Sequence, residues 1–220
     1  MCNTKYPRTY HFPFSPGATS DDKIVDEGWF EYFKGKELVI TEKLDGSNTA
    51  IMQSGVYSRS HAAPSVNEWD KYLFRHGGIF DKIKPLISED EIIYGENMYA
   101  VHSIEYEHLP DYFFVFNIRN SEEYYSWDEL EEMCEIIGLK HVPLLDRAVF
   151  NKPEDLQNTI LELMKNGSTF GNTIEGVVVR VAERFSTQDF KHNVIKYVRA
   201  NHVQTDVHWT RNWKQAKLKP

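Results

Sequence analysis

Seven short runs rich in β-branched and aromatic residues constrain the fold of this chain more than any other feature of its sequence. Such residues fit the pleated, half-buried surface of a sheet, so each run predicts a β-strand. The first three runs follow one another so closely that they predict a meander of antiparallel strands. The runs are ELVITEK, TAIMQ, VYSRS, EIIYGEN, YFFVFNIR, IEGVVVRV and NVIKYV.

Two segments carry the signals of longer helices. Ser126 and Glu129 form a capping-box pattern, and the apolar spacing of residues 126–137 predicts an amphipathic helix that Gly138 ends. A second helix is predicted over 153–165, with proline in its first turn. The strand-poor stretch 68–87 predicts one or two more. Strands outnumber helices, so we expect an α+β fold of mainly antiparallel sheets flanked by helices.

Length and composition exclude several classes of protein. With 220 residues, 41% of them hydrophobic, the chain can bury one sizeable core. No run approaches the ~20 consecutive apolar residues of a membrane-spanning helix. The N-terminal segment lacks the apolar core of an export signal, and Cys2 and Cys134 stand far apart without a metal-binding pattern. We therefore expect a reducing compartment, the cytoplasm.

Charge is unevenly distributed along the chain. The formal net charge is −8, which argues against a general nucleic-acid coat protein. From Lys191 onward, however, seven Lys or Arg stand against one acid, while 18 basic and 32 acidic residues precede them. Tyr197, Trp209 and Trp213 are interleaved with these cations, as in surfaces that combine phosphate contacts with base stacking. The alternative is a solvated terminal extension. Residues 12–22, rich in Pro, Ser, Gly and Asp, predict a surface loop.

The run TEKLDGSN at residues 41–48 places two carboxylates and a lysine within four positions at the end of a predicted strand. Lys43 and Asp45 are two apart, so on an extended chain both would point to the same side. Gly46 would let the chain turn closely around a ligand. Taken alone, such a cluster is more often a solvated strand end with an ordinary ion pair.

Five further motifs follow in a fixed order. They are YSRSH at 57–61, YGENMYAVHSIEY at 94–106, LPDYFFVFNIR at 109–119, IEGVVVR at 174–180 and VIKYVR at 194–199. Together the six resemble the covalent nucleotidyltransferase superfamily of ATP-dependent ligases and mRNA capping enzymes, most closely RNA ligases of the RNA ligase 2 type. The resemblance covers about residues 38–200 and implies an ATP-grasp-like nucleotidyltransferase domain.

The resemblance implies a covalent mechanism. Lys43 would attack the α-phosphate of ATP to give lysyl-AMP and pyrophosphate, and AMP would pass to a 5′-phosphate RNA end before its joining to a 3′-hydroxyl. Because a free lysine has a pKa of about 10.4, we expect burial and nearby cations, Lys196 or a metal ion, to lower it. The triphosphate charge predicts Mg²⁺ or Mn²⁺ with oxygen ligands.

For the adenosine, the same resemblance assigns roles one position at a time. Glu42 would help to select adenine, and Glu96 would hold a ribose hydroxyl. Phe116 would stack on adenine. Phe114 lies on the same strand face, so one of the two rings would stack while the other fills the core. Taken singly, each of these residues is more often a solvated strand end or a core side chain, and only their joint order supports the roles.

For the phosphates and the metal, the resemblance assigns roles to four residues. Asn48 and Arg59 would meet the nucleotide ribose or RNA phosphates, Lys196 would contact phosphate, and Glu175 would assist the metal. His61 and His102 fit substrate contacts better than metal ligation, because no HxxxH or HExxH pattern is present. Asp45, Gly46, His61, His102 and Arg199 are supporting candidates.

Three features depart from the family pattern. Many members carry a second lysine in the last motif where this chain has Val198; if the following Arg199 faces the other side of the strand, charge must come from elsewhere. Asn117 stands where an aspartate is common. Only about 20 residues follow Arg199. We therefore expect residues 1–220 to form one nucleotidyltransferase domain with a basic aromatic tail at about 200–220, without a separate C-terminal barrel or helical domain.

Three functions fit these patterns. The leading one is a cytoplasmic ATP-dependent RNA ligase for RNA repair, acting on 5′-phosphate and 3′-hydroxyl ends alone or with a partner protein or domain for sealing. The second is a guanylyltransferase of the capping type, which prefers GTP. The third is a non-catalytic module that binds RNA ends or nucleotides without a covalent label. The complete order of motifs favours the first.

Overall fold

Two β-sheets form the framework of the fold. The computed structural model describes residues 5–59, 63–201 and 213–219. The strands are β1 (Tyr10–His11), β2 (Glu37–Lys43), β3 (Ser47–Met52), β4 (Gly55–Ser58), β5 (Ile92–Asn97), β6 (Phe113–Arg119), β7 (Glu123–Tyr124), β8 (Lys140–His141), β9 (Leu144–Val149), β10 (Gly176–Val181), β11 (Phe185–Ser186) and β12 (Val194–Val198). The first sheet has the order β1-β12-β10-β2-β9, and the second β11-β7-β6-β5-β3-β4, with β8 beside β6.

The helices are short and lie between these strands. The two longer ones follow the sequence signals closely: Ser126 caps α2 (Trp127–Ile137) with a complete capping box, and Gly138 ends it at φ +75°. Helix α3 (Pro153–Lys165) begins at Pro153, as predicted. The mainly antiparallel α+β class is confirmed. The helices are α1 (Ile79–Ile83), α2 (Trp127–Ile137), α3 (Pro153–Lys165) and α4 (Phe190–Asn193), with 3₁₀ turns at Trp29–Tyr32, Glu68–Phe74 and Thr187–Asp189.

Strand β10 brings the ends of two other strands together. It pairs antiparallel with β2 on one side and β12 on the other, so that Gly176 lies opposite both Lys43 and Val198. A Cβ at Gly176 would lie 2.0 Å from the carbonyl oxygen of Tyr197, so only glycine fits this close approach. The residue before it, Glu175, is thereby held beside the end of β2.

The predicted meander of the first three strands is wrong. Strands β3 and β4 form the expected hairpin, but β2 belongs to the other sheet, where its partners are β9 and β10. The chain crosses between sheets at 44–46: Leu44 is buried, and a Cβ at Gly46 would lie 2.7 Å from the carbonyl oxygen of Asn97. With Leu44 buried and Gly46 close to Asn97, the chain continues into the second sheet and does not fold back to pair with β2.

The predicted surface loop over 12–22 is wrong in part. Phe12 is fully buried, and its backbone N–H donates to the carbonyl oxygen of Lys196 at 2.9 Å. Ser15 Oγ accepts from the backbone N–H of Val198 at 2.9 Å. The segment thus packs along β12, and Asp22 at its end reaches the region of Lys196.

Buried apolar side chains form two groups that support the sheets. One contains side chains of both sheets together with aromatic side chains of the N-terminal segment; the other includes Trp127 and Leu130 of α2 with Val115 and Ile118 of β6. Each fully buried side chain of this size stabilises the fold by about 1.5–3 kcal/mol. Within the described ranges, no helix has the length and apolar character needed to cross a bilayer.

Candidate active site

A cavity of about 960 Å³ is lined by residues of both sheets and of the N-terminal segment. Sites for small molecules typically measure about 300–1,000 Å³, so a nucleoside triphosphate fits. Most of the residues predicted from the motifs meet here, although they come from distant parts of the chain. Those that line the cavity are Glu42, Lys43, Gly46, Asn48, Arg59, Glu96, His102, Phe116 and Lys196.

Lys43 and Glu175 form an ion pair beside this cavity. Lys43 ends β2, and the register with β10 places Glu175 next to it, so that Nζ lies 2.6 Å from Oε2. The Glu175 side chain is only 7% exposed and that of Lys43 27% exposed. Exposed ion pairs contribute little to stability, but here removal of either partner would leave a buried charge without compensation.

The pKa of Lys43 differs from the sequence-based expectation. Burial lowers it, but the charges of Glu175, Glu96 and Asp45 outweigh burial, and the pKa lies above its usual value. The prediction that the pKa of Lys43 is lowered is therefore wrong for the chain without a ligand. In this state Lys43 is protonated at neutral pH. Burial raises the pKa of Glu175, although Lys43 opposes the shift.

Lys196 stands on β12 on the other side of Glu175. Burial lowers its pKa, and the neighbouring positive charge of Lys43 lowers it further. Its Nζ lies 3.7 Å from Oδ1 of Asp22. Burial raises the pKa of Asp22, but hydrogen bonds from Thr19 and the charge of Lys196 prevail and bring it to about 2. The cavity thus presents a desolvated cation that a phosphate could contact.

Glu96 lies across from Asn48 in the pairing of β5 with β3. Its Oε1 accepts from the backbone N–H of Gly46 at 3.1 Å. Burial raises its pKa to about 8; the charges of Glu175 and Asp45 add to this, and Lys43 opposes it. At neutral pH the neutral form is favoured, and a neutral carboxyl can both donate and accept a hydrogen bond.

Replacement of Glu96 by glutamine is expected to flatten the pH dependence of stability. The folded-state pKa of about 8 exceeds the usual 4.5, so the stability contributed by the neutral form is complete below about pH 4.5 and is lost as the pH rises through about 8. Relative to Glu96→Gln, the wild type should lose up to about 1.4 kcal/mol per pH unit in this window. Urea unfolding of both proteins at about pH 5.5 and 7.5 measures the difference. Parallel stability curves would contradict it.

Asn48 and Arg59 lie together at the second sheet's side of the cavity. Asn48 Oδ1 is buried and, within the described part of the chain, has no hydrogen-bond partner. The backbone N–H of Arg59 donates to the carbonyl oxygen of Asn48 at 3.3 Å, and the Arg59 side chain is exposed at the cavity. An orphaned buried polar atom is costly, so Asn48 is an element of the site that a polar ligand would complete.

Apolar side chains from both sheets line another part of the cavity. Phe116 of β6 and Val178 of β10 are both half-buried there. Phe116 is held by an edge contact with the ring of Tyr6, 5.0 Å between centroids. Phe114 is buried and packs on Phe170, as expected for the core partner of the pair. An aromatic ring of a ligand can therefore pack against apolar side chains in this part of the cavity.

Glu42 is buried and already holds a turn. Its Oε2 accepts from the backbone N–H of Thr169 at 2.8 Å, and Oε1 accepts from Ser168 Oγ. The carboxylate thus fixes the turn at Ser168 and Thr169, and each of its oxygens keeps a second lone pair that a ligand could use. Its role in adenine selection stays a prediction.

The side chain of Asp45 does not point to the same side of the chain as that of Lys43. Strand β2 ends at Lys43, and Asp45 Oδ2 accepts from the backbone N–H groups of Ser103 and Ile104 at 2.7 and 2.8 Å. It is absent from the cavity wall and anchors the loop that carries His102. The Nε2 of His102 lies 3.1 Å from Ser47 Oγ, which ties the same loop to β3.

Four other predicted residues either depart from the expectations or lie outside the described residues. Arg199 lies at a separate cavity of about 120 Å³, so the structure does not bring it to the site. Tyr197 is buried in the core beside Phe14 and offers no exposed ring for stacking. His61 lies outside the described residues, as does Trp209.

A buried network around Arg180, to which the motifs assign no role, lines the cavity. Arg180 is 2% exposed, and its three acceptors are all uncharged: the side chain of Asn117 and the carbonyl oxygens of Tyr125 and Val181. Asn117 Nδ2 in turn donates to Tyr6 Oη at 3.1 Å. Burial lowers the pKa of Arg180 to about 10. Its one sequence signal was a charge among apolar residues in GVVVRV.

Replacement of Asn117 by leucine is expected to destabilise the protein by about 2–3 kcal/mol, because the buried Arg180 Nη1 would lose its acceptor. Asn117→Asp is the matched control, since a carboxylate keeps the acceptor and can also accept from Tyr6. The free energy of unfolding from urea titration measures both variants. A leucine variant as stable as the aspartate variant would contradict this account of the network.

The donor set fits a divalent metal ion only together with phosphate. In the described ranges, no three His, Cys, Asp or Glu side chains converge into a metal site. Glu175 offers carboxylate oxygens beside the cavity, whereas Asp45 is committed to backbone N–H groups. Mg²⁺ and Mn²⁺ are commonly held by one or two carboxylates with substrate phosphates and water. Glu175 is thus the residue that would hold such an ion.

Comparison with known proteins places this geometry in a family. The sequence model of the family described as RNA ligase matches residues 36–198. A search of curated proteins gives no match.

Solved structures with the same fold include a putative ATP-dependent DNA ligase from Aquifex aeolicus, at 21% identity and TM-score 0.55, covering 89% of this chain and 50% of that one. They also include the Naegleria gruberi RNA ligase with PPi, at 20% and 0.59, covering 88% and 60%. A variant of the latter with ATP and Mn gives 17% and 0.56, covering 89% and 60%. This chain thus spans half to three-fifths of those proteins, and the likeness establishes the fold.

Proposed function

The chain belongs to the RNA ligase family, and from this premise we propose that it is an ATP-dependent RNA ligase for RNA repair with Lys43 as its covalent nucleophile. The observation that carries the proposal is the meeting of Lys43 with Glu175, 2.6 Å apart, beside a cavity that fits a nucleotide. The N. gruberi structures with ATP and Mn, and with PPi, support these ligands for the present cavity.

The first step is self-adenylation. Lys43 Nζ loses a proton and attacks the α-phosphorus of ATP; the N–P bond forms, the bond to the bridging oxygen breaks, and pyrophosphate leaves. Glu175 is bonded to Nζ, and burial raises its pKa, so it is the group suited to accept the proton. A bound Mg²⁺ or Mn²⁺ ion would neutralise phosphate charge in the cavity.

Other residues hold the nucleotide in this proposal. Adenine lies between Phe116 and Val178, and Glu96 exchanges hydrogen bonds with a ribose hydroxyl. Lys196 contacts a phosphate and gives up its 3.7 Å pairing with Asp22. Asn48 Oδ1 gains the partner that it lacks in the described chain.

The later steps use the RNA ends. A terminal oxygen of the RNA 5′-phosphate attacks the phosphorus of lysyl-AMP, so the N–P bond breaks, a phosphoanhydride forms and Lys43 is regenerated. The 3′-hydroxyl then attacks the RNA phosphorus, a phosphodiester forms and AMP leaves. Arg59, exposed beside the cavity, contacts an RNA phosphate in this proposal.

Joining of synthetic RNA tests this function. With Mg²⁺ and ATP, a strand with a 5′-phosphate and a 3′-hydroxyl should give a longer or circular product on a denaturing gel, and GTP should not replace ATP. Use of GTP with formation of a protein-bound GMP would favour the capping-type guanylyltransferase. Binding of RNA with neither product nor protein-bound nucleotide would favour the non-catalytic module.

A further inference from the structure

A cluster of aromatic rings lies at the rim of the cavity. Its members, called here the rim cluster, are Trp69, Tyr72, Tyr99, Tyr112 and Trp213. Tyr72 and Tyr99 stack with 4.7 Å between ring centroids, and Trp213 lies 6.1 Å from both Trp69 and Tyr99. All five are half-buried, and Trp69 also lines the cavity. The cluster therefore leads from the proposed active site outward across the surface.

The C-terminal segment 213–219 holds the outer end of the rim cluster in place. Its backbone bonds to the loop after β5: the Val101 N–H donates to the carbonyl oxygen of Lys214 at 2.9 Å, and the Ala216 N–H to that of Tyr99 at 2.8 Å. Tyr112 Oη donates to the Ala216 carbonyl oxygen at 3.1 Å. These bonds fix Trp213 next to Trp69 although the two are far apart in sequence.

The same segment adds positive charge next to the rim cluster. It contains three lysines and no acid. Lys214 Nζ lies 2.5 Å from Glu105 Oε2, and this hydrogen bond, with the charges of Lys214 and Lys217, lowers the pKa of Glu105. In a chain with net charge −8, such lysines offset part of the repulsion between the chain and RNA phosphates.

Partly exposed aromatic rings next to cations are typical of surfaces that bind single-stranded nucleic acid. Stacking of one base on an aromatic ring contributes about 1–3 kcal/mol and needs a base whose face is free. Bases inside a duplex already stack on both neighbours, whereas terminal unpaired bases do not.

We propose that RNA enters the cavity as an unpaired end whose bases stack on Trp69 and Trp213. The inference rests on the proposed ligase function, since it concerns the substrate of the same site. It specifies that function as the joining of single-stranded ends in preference to nicks in a duplex.

The test separates stacking from packing with two substitutions at one position. Trp213→Leu keeps an apolar side chain without a ring face, and Trp213→Phe keeps the face. The probes are a 5′-adenylated single-stranded RNA and a nicked RNA duplex of the same sequence. Tyr32→Leu is the matched control: Tyr32 is 40% exposed and stacks on His192 at a separate small cavity, away from the rim cluster.

We expect Trp213→Leu to raise the Kd for the single strand by roughly 5- to 150-fold, with Trp213→Phe close to wild type. Self-adenylation with ATP and the melting temperature should be unchanged in all three variants. Equal affinity of the leucine and phenylalanine variants, or binding of the nicked duplex as tight as that of the single strand, would overturn the proposal. Absence of self-adenylation in the wild type would instead contradict the proposed function, and the binding comparison would still decide the role of the rings.

Discussion

Lys43→Arg should reduce the joining of a 5′-phosphate RNA end in the presence of ATP by roughly a thousandfold or more, while joining of a 5′-adenylated RNA persists. Arginine keeps a cation beside the buried Glu175, so the fold is not left with an unpaired charge. It cannot lose its proton to become a nucleophile. Gel assays with the two RNA substrates measure the difference directly.

Lys36→Arg is the control, because Lys36 is exposed immediately before β2 and lies outside the cavity. It should join both substrates like the wild type. Unimpaired joining of the 5′-phosphate RNA by Lys43→Arg would exclude Lys43 as the nucleophile. An equal loss with adenylated RNA would show that Lys43 acts in sealing instead of activation.

Glu175→Gln should slow self-adenylation by about 10²- to 10⁴-fold, the range expected for loss of a positioned proton acceptor. Glutamine keeps an acceptor for Lys43 Nζ but cannot take its proton. With the negative charge removed, the pKa of Lys43 should fall, because Glu175 is the largest of the charges that raise it. The rate of label incorporation from ATP in a single turnover measures the effect.

The condition that restores the self-adenylation rate of Glu175→Gln shows whether Glu175 accepts a proton or acts through the metal ion. If it accepts the proton, a higher pH should restore part of the rate in Glu175→Gln. If it acts through the metal ion, a higher Mg²⁺ concentration should restore it instead. Glu175→Asp, which keeps the charge on a shorter side chain, should lose less than Glu175→Gln. Wild-type adenylation by Glu175→Gln would contradict both roles.

Local signals in the sequence predict the elements of this fold well. The ELVITEK run matches β2, and the Ser126 capping box and Gly138 mark the ends of α2. The assignment of strands to sheets was not predictable, because it depends on contacts between distant residues. Gly46 is a local signal for a close turn, but neither its approach to Asn97 nor the burial of Leu44, which together separate β2 from β3, can be read from neighbouring residues.

The order of the motifs predicts which residues gather at the cavity, but not their electrostatics. The pKa of Lys43 was expected to fall because cations were assumed to be its neighbours. In the fold, the negative charges of Glu175 and Glu96 act on it more strongly than the positive charge of Lys196. Asp45 was expected beside Lys43 because an extended chain was assumed beyond the end of β2. Such errors concern side chains whose neighbours come from other strands.

The position of the covalent nucleotide tests the central claim most directly. The protein is incubated with Mg²⁺ and ATP labelled at the α-phosphate, denatured, digested and mapped by mass spectrometry. We predict one AMP moiety per chain, on Nζ of Lys43, removed again when the native protein is treated with pyrophosphate. Absence of a covalent label, or a label on another residue that persists in Lys43→Arg, would contradict the account.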